Sequence, residues 1–399
     1  MEKKSDFRSD IITFFVALYA DILSVNTILV CISPSFTGVM ALMYVIVALG
    51  IVACVFLGHN NFRWSKSICY ATMLVIFAYL FRGPQSSAQP IFIFSQVVLA
   101  LLISQVKINS KKFLFYLMTI PAFGIFFIAQ LFRLKIEEDG SIGMGTSYSF
   151  IIPVVANIVY YFQVFRKEPN IPKIQYVLTM CITLINLVYM FHLIVFGSRG
   201  VLLCLLFVLL LIFLFDYDIN TCSIKKRSKW STVYIILGIV LVLNIWDFIR
   251  LLDNLLRTFN IEVYTLTRTI EFGEAEDVMT GRSDLFDRAW KAFLRKPIFG
   301  YGMLTFEANT NGDWPYVHNF VLQFLYDGGI VLTTAFLLPI IKNLISLFRR
   351  CTENYYCLVL TMFAATVPGA LFSHDLWHQP ALWLFFGIAF NFKSLNNYE

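Results

Sequence analysis

The chain has 399 residues, of which 58% are hydrophobic and 14% charged, and its formal net charge is +6. Soluble domains carry nearer a quarter charged residues, so a chain this apolar lacks the polar surface to fold alone in water. Lipid as solvent removes that difficulty, and the positive charge then reads as a membrane-topology signal that calls for no nucleic acid as partner.

A helix needs about 20 apolar residues to cross a bilayer, and runs of that kind recur along the whole chain. They fall at 11–32, 37–57, 67–81, 90–106, 113–132, 148–165, 174–196, 200–215, 231–252, 318–348, 355–372 and 376–392. The runs are uninterrupted, whereas the strands of a membrane barrel would alternate. The expected fold class is therefore all-α: a polytopic membrane protein of about twelve transmembrane helices, forming a single membrane domain over 1–399. The 67–81 run is short, and 318–348 is long enough to tilt or to break at Asp327-Gly328-Gly329. The first run holds Asp21 and Asn26 and no small-residue site follows it, so no cleavable signal peptide is expected.

Lys and Arg set the orientation. With the N-terminus in the cytoplasm and twelve crossings, the cytoplasmic ends collect nineteen of the 31 Lys and Arg, among them Lys225, Lys226, Arg227 and Lys229. Both termini are then cytoplasmic. The short outer loops hold only Arg82, Arg133, Lys135 and Arg199, and eight more lie between Arg250 and Lys296. The eight cysteines form no CxxC and no Cys/His cluster, so neither a metal site nor a disulfide framework is expected.

Residues 253–317, between the ninth and tenth runs, make the one long hydrophilic excursion, on the outer side. It opens with the amphipathic Leu251, Leu252, Leu255, Leu256 and Phe259, and contains a second amphipathic stretch within Gly281–Pro297. There Leu285, Phe286, Ala289, Trp290, Phe293 and Leu294 share one face by helical spacing, with Arg288, Lys291 and Arg295 on the other. Ser283 is the expected N-cap, Pro297 stops the helix, and Gly300-Tyr301-Gly302 makes a turn. Arg282 then stands at a helix N-terminus, where free N–H groups and the helix dipole already favour anions. A phosphate site and a plain loop arginine near lipid headgroups are both open on this spacing.

Arg199 lies in Gly197-Ser198-Arg199-Gly200, a link between two apolar helices with almost no loop. A charge there is costly unless paired, functional or snorkelling to outer phosphates. His318, in Tyr316-Val317-His318-Asn319, stands where the long loop returns to the membrane. It is either an ordinary interfacial polar residue or a base. His374, Asp375 and His378 on the last outer loop, together with Arg82, Arg133 and Arg288, are further candidates for an outer cavity. Asp216-Tyr217-Asp218 has the form of a metal-binding DxD, but it lies at a cytoplasmic helix end with no nucleotide-binding domain around it, so no metal is expected there.

Taken together these residues resemble the O-antigen polymerase and O-antigen ligase superfamily. The likeness is carried by Ser198-Arg199-Gly200, Gly281-Arg282, Trp290, Pro297-Ile298-Phe299-Gly300-Tyr301-Gly302, His318-Asn319 and Asp327-Gly328-Gly329, in that order and on one side. It covers about 197–330; the N-terminal half matches only in hydropathy. The family often has Glu where this chain has Asp327. The resemblance implies a glycosyltransferase in the bacterial inner membrane acting at its periplasmic face, with 253–317 as a periplasmic loop. Its donor would be a glycan on undecaprenyl diphosphate. Its other partners would be membrane lipids, a chain-length regulator and a flippase. Polymerase (Wzy-type) members move the growing chain onto a new lipid-linked repeat unit, in O-antigen or capsular polysaccharide synthesis; ligases move it onto the lipid A core of lipopolysaccharide. The Ser-Arg-Gly and Gly-Arg…Trp…Pro…Gly-x-Gly runs look more like the polymerases. On that likeness Arg199 and Arg282 would bind the diphosphate and His318 would take the proton of the attacking hydroxyl, in an inverting displacement with no cofactor. A secondary transporter or a lipid-linked oligosaccharide flippase is the reading of another class. Transporters of the major-facilitator kind, however, split around a long cytoplasmic loop, and a flippase needs no anion site confined to one face.

Overall fold

The computed structural model describes residues 7–32, 45–50, 65–80, 89–127, 144–167, 171–196, 198–226, 233, 245–259, 263, 266–267, 269–271, 282–310 and 314–391. Nearly all of this is helix. The elements are α1 (Phe7–Ala20), α2 (Ile22–Ile32), α3 (Lys66–Leu80), α4 (Gln89–Ile103), α5 (Ser110–Thr119), α6 (Met144–Ser149), α7 (Ile151–Val159) and α8 (Lys173–Phe196). They continue with α9 (Arg199–Leu214), a hairpin of β1 (Phe215–Asp218) and β2 (Ser223–Lys226), α10 (Ile245–Thr258), α11 (Arg282–Arg295), α12 (Phe306–Asn309), α13 (Phe320–Leu347), α14 (Glu353–Phe372) and α15 (Pro380–Phe390).

Among the described residues four helices are long and apolar enough to span a bilayer: Ser147–Lys167, Lys173–Val195, Phe320–Leu347 and Glu353–Phe372. The pair α1 and α2 makes a fifth if taken as one span bent by 71° at the buried Asp21. Helices α3, α9 and α15 are apolar but shorter, and the runs at 37–57 and 231–252 fall largely outside the described residues. Burial sorts the spans. Helix α14 is enclosed along almost its whole length, packed by α9, α15, α7 and α5. Helix α8 instead exposes Ile174, Val177, Leu184 and Phe191. An apolar helix exposed in this way has lipid as its solvent. Asn319 and Thr352 cap the N-termini of α13 and α14 through their side chains, each satisfying backbone N–H groups that the helix leaves orphaned.

Helix α13 breaks where its glycines stand. Gly329 has φ 61° and ψ −163°, a conformation open essentially to glycine alone. In an unbroken helix the Ile330 and Val331 N–H groups would bond to the Tyr326 and Asp327 carbonyls. Here the segment Pro297–Gly302 intervenes. Tyr301 N and Gly302 N donate to the Tyr326 and Asp327 carbonyls at 2.8 and 2.7 Å, while Ile330 N and Val331 N donate to the Pro297 and Ile298 carbonyls at 2.8 and 3.3 Å. The Pro-x-x-Gly-x-Gly and Asp-Gly-Gly motifs are thus two halves of one crossing. Contact is too close for side chains: a Cβ on Gly300 would lie 2.4 Å from the Tyr326 oxygen, and one on Gly329 2.3 Å from the Ile298 oxygen.

Asp327, fully buried at the crossing, accepts from Gln323 Nε2 at 3.0 Å and from Trp377 Nε1 at 2.6 Å. It ties the broken helix to the loop 373–379. At the far end of α9, Asp216 pairs with Lys167 at 2.8 Å and Asp218 with Lys225 at 2.5 Å, so the DxD carboxylates lie in a hairpin with cations as partners.

Gly329→Ala should therefore destabilise the fold by about 1–3 kcal/mol from backbone strain alone, with the clash against Ile298 added. Thermal unfolding of the purified protein checks this; an unchanged midpoint would rule out the crossing as drawn.

Candidate functional site at the end of helix α14

The last carbonyls of a helix have no partner within it. At the C-terminus of α14 three in a row are taken by side chains from the motif-bearing region. Asn319 Nδ2 donates to the Leu371 carbonyl at 3.0 Å. Arg282 donates through one terminal nitrogen to the Phe372 carbonyl and, at 3.2 Å, to the Ser373 hydroxyl. His318 Nδ1 lies 3.1 Å from the Ser373 carbonyl. A cation at a helix C-terminus also meets the negative end of its dipole. Arg282 and His318, far apart in sequence, are thereby held on one strip of backbone.

Arg282 is the first residue of α11, so the helix begins one residue before the expected Ser283 cap. Leu285, Ala289 and Phe293 bury that helix, the first two in a cluster with Phe306, Val317 and Tyr326. Val317 N is itself held by Gln323 Oε1 at 2.9 Å. His318 then adopts φ 61°, an uncommon conformation for a non-glycine residue, which turns its ring towards Ser373. Its side chain packs 4.2 Å, centroid to centroid, from Tyr316.

A carbonyl can only accept, so His318 Nδ1 carries the proton and Nε2 keeps its lone pair. Burial, helped by the Arg282 charge, pushes the His318 pKa below 6.5, against the Ser373 bond and Asp375, which act upwards. The ring is neutral at pH 7 with a basic Nε2. Burial also works against the Arg282 charge, but a guanidinium stays protonated.

His374 belongs to the same cluster. Its ring meets Tyr148 edge-on at 3.8 Å and accepts from Gln379 Nε2 at Nδ1 over 2.9 Å. Burial first, then His318 and Arg282, lower its pKa to about 3, which leaves it uncharged. His378 stands further out, hydrogen-bonded to the buried Asp375. Burial opposes its charge, but the Asp375 carboxylate prevails and raises its pKa above 6.5.

Arg199 opens α9, with Ser198 as N-cap. Its side chain, like Arg82 and Arg133, lies outside the described residues. Its neighbour Gly200 reaches the cluster: a Cβ there would lie 1.7 Å from the Tyr148 oxygen and 3.3 Å from Ser373 Oγ. The glycine of Ser-Arg-Gly is what lets α9 approach Tyr148 and Ser373. Arg288 goes elsewhere, into a separate cleft on another face of α11. Sequence reasoning missed Tyr148, Ser373 and Gly369, the last of which leaves room for His374 and Tyr148 at 3.0 Å. None carries a signal, being an ordinary tyrosine, serine and glycine at the ends of apolar runs.

Residues 181–337 match the family described as O-antigen ligase. The match takes in Ser198-Arg199-Gly200, Arg282, His318 and Asp327 and ends before the accepting carbonyls of α14. No curated protein matches the chain.

Gly200→Ala should abolish the close approach of α9 and cost about 1–3 kcal/mol through overpacking, with activity lost. Adding Tyr148→Phe removes the nearest atom and should recover much of the stability. A neutral Gly200→Ala, read by thermal unfolding, would contradict the contact.

Proposed function

We propose that this chain, whose residues 181–337 match the O-antigen ligase family, is a membrane glycosyltransferase that moves a glycan from undecaprenyl diphosphate to a sugar hydroxyl at the periplasmic face of the inner membrane. The observation that carries the reading is the convergence of Arg282 and His318 on consecutive carbonyls of α14.

The chemistry follows from the residues. The acceptor oxygen bonds to the anomeric carbon as the bond from that carbon to the diphosphate oxygen breaks. His318 Nε2 takes the hydroxyl proton, and the Ser373 carbonyl, bonded to Nδ1–H, steadies the imidazolium that forms. The diphosphate leaves with growing negative charge. Arg282, fixed by Phe372 and Ser373, keeps other N–H groups free to bind it, and Arg199 at the start of α9 is assigned the same role. One base, with the nearby Asp375 carboxylate engaged by Trp377 N and His378, suits a single displacement with inversion. The cationic pair does the work a divalent metal does elsewhere, so the reaction is assigned as metal-independent.

Polymerisation of repeat units is favoured over ligation to the lipid A core on the Ser-Arg-Gly and Gly-x-Gly runs. A deletion strain decides: single repeat units on the surface indicate a polymerase, and long chains stranded on undecaprenyl diphosphate indicate a ligase. Flipping of a lipid-linked glycan in proteoliposomes without transfer would point to the transport class instead.

In a transfer assay Arg282→Ala should lower turnover roughly 10²–10³-fold, with poor rescue by lysine, which lacks the planar fork. His318→Ala should lower it roughly 10²–10⁴-fold and leave donor binding nearly intact. The base must be neutral to act and burial lowers its pKa, so the rate should fall with acid at a lower pH than an ordinary imidazole base would give. EDTA should leave the rate unchanged. Full turnover by either alanine variant, or loss in EDTA reversed by magnesium, would overturn the mechanism.

A further inference from the structure

Helix α11 has a second working face. At about 100° per residue, Arg288, Ala292 and Arg295 lie on one flank of the buried Leu285–Ala289–Phe293 stripe, and Trp290 and Leu294 lie on the other. The first flank forms one wall of a cleft of about 370 Å³, whose opposite wall is Tyr301, Phe306, Asn309, Thr310 and Tyr326. The floor is aromatic and rigid: Tyr301 and Tyr326 stack at 5.0 Å and 11°, Lys296 covers Tyr301 at 4.3 Å, and Asn309 donates to the Tyr326 hydroxyl.

The lining of the cleft holds Arg288, Lys291 and Arg295 and no carboxylate. Lys291 is paired with Asp287 at 2.5 Å. Arg288 and Arg295 are exposed, and among the described residues neither has a carboxylate within salt-bridge distance. Seven residues apart, they stand about 10 Å from each other along the helix axis. Two unpaired guanidiniums over an aromatic floor, flanked by an amide and a hydroxyl, suit an anion borne on a polar, ring-shaped ligand. A phospholipid headgroup would bring acyl chains, but the exposed apolar residues of α11, Trp290 at 45% and Leu294 at 57%, lie on the opposite flank. The cleft also adjoins the reaction centre: Arg282 and Arg288 are six residues apart on one helix, about 9 Å.

We propose that this cleft binds an acidic sugar residue, carrying a carboxylate or phosphate, of a glycan engaged at the reaction centre. The assignment rests on the transferase reading only for the origin of the glycan; the chemistry of the cleft stands without it.

The test uses the full chain in phosphatidylcholine nanodiscs, with fluorescent oligogalacturonate as the acidic probe and a maltooligosaccharide of equal length as the neutral one. The acidic probe should bind, weakening as salt rises, and the neutral probe should not. Arg288→Glu with Arg295→Glu should lower acidic binding at least roughly tenfold, by loss of two charge-assisted contacts. The double lysine variant should keep part of it. Equal binding of both probes, unchanged binding by the double glutamate variant, or loss of binding when phosphatidylglycerol is added to the discs would overturn the site. Arg282→Ala separates the two readings, since it should stop transfer and leave probe binding in place. Probe binding by a chain that transfers nothing from any lipid diphosphate donor would sink the transferase reading and leave the cleft standing.

Discussion

Backbone polar groups inside a bilayer have no water to fall back on, so a helix can open there only if another part of the protein satisfies what it frees. The break in α13 meets this constraint with a single strap. Two helical hydrogen bonds are given up at Gly329, and Pro297–Gly302 supplies four in exchange. Glycines at 300 and 329 are required because the two backbones meet with no room for a Cβ. Among the described residues, the helix that begins at Arg282, the backbone beside His318 and the loop at Ser373 are all tied to that crossing.

Its reach extends in two directions. Upstream of the strap, α11 is held over α13, which sets Arg282 at its first residue. Downstream, Asp327 holds Trp377 and so the loop that begins at Ser373. Gln323 binds Asp327 with its amide nitrogen and Val317 with its oxygen, and so fixes the backbone next to His318. The opened helix, α11 and the loop 373–379 are linked by these contacts, and they meet at the carbonyl end of α14.

The electrostatics follow from that meeting. Two histidines and a guanidinium crowd one partly dry site, and a third histidine, His378, stands further out. His374 and His318 are kept neutral by burial and by the neighbouring cation, while His378, on Asp375, is biased towards charge. Like groups are thereby given different charge states by their surroundings. The Ser373 carbonyl fixes the tautomer of His318, and with it the nitrogen that can act as base.

Much of this was legible in the sequence because it depends on local rules. Apolar run lengths determine a helical membrane protein, as the amphipathic pattern determines α11 and the glycines mark the break in α13. The motif residues Arg282 and His318 were visible as charged or titratable groups in places where such groups are costly. What the sequence could not say is which partners the motifs would find. Gly300-Tyr301-Gly302 reads as a turn and Asp327-Gly328-Gly329 as a break in a helix, yet they are one interaction across some thirty residues of chain. Arg288 and Arg282 share a helix, but their angular positions send Arg282 to the end of α14 and Arg288 to the separate cleft. Tyr148, Ser373 and Gly369 were silent, because an uncharged residue acquires its role only from what packs against it. Composition and periodicity decide what solvent a segment needs, since that is a property of the segment alone. Which carbonyl an arginine meets is a property of two segments at once, and only the tertiary fold brings them together.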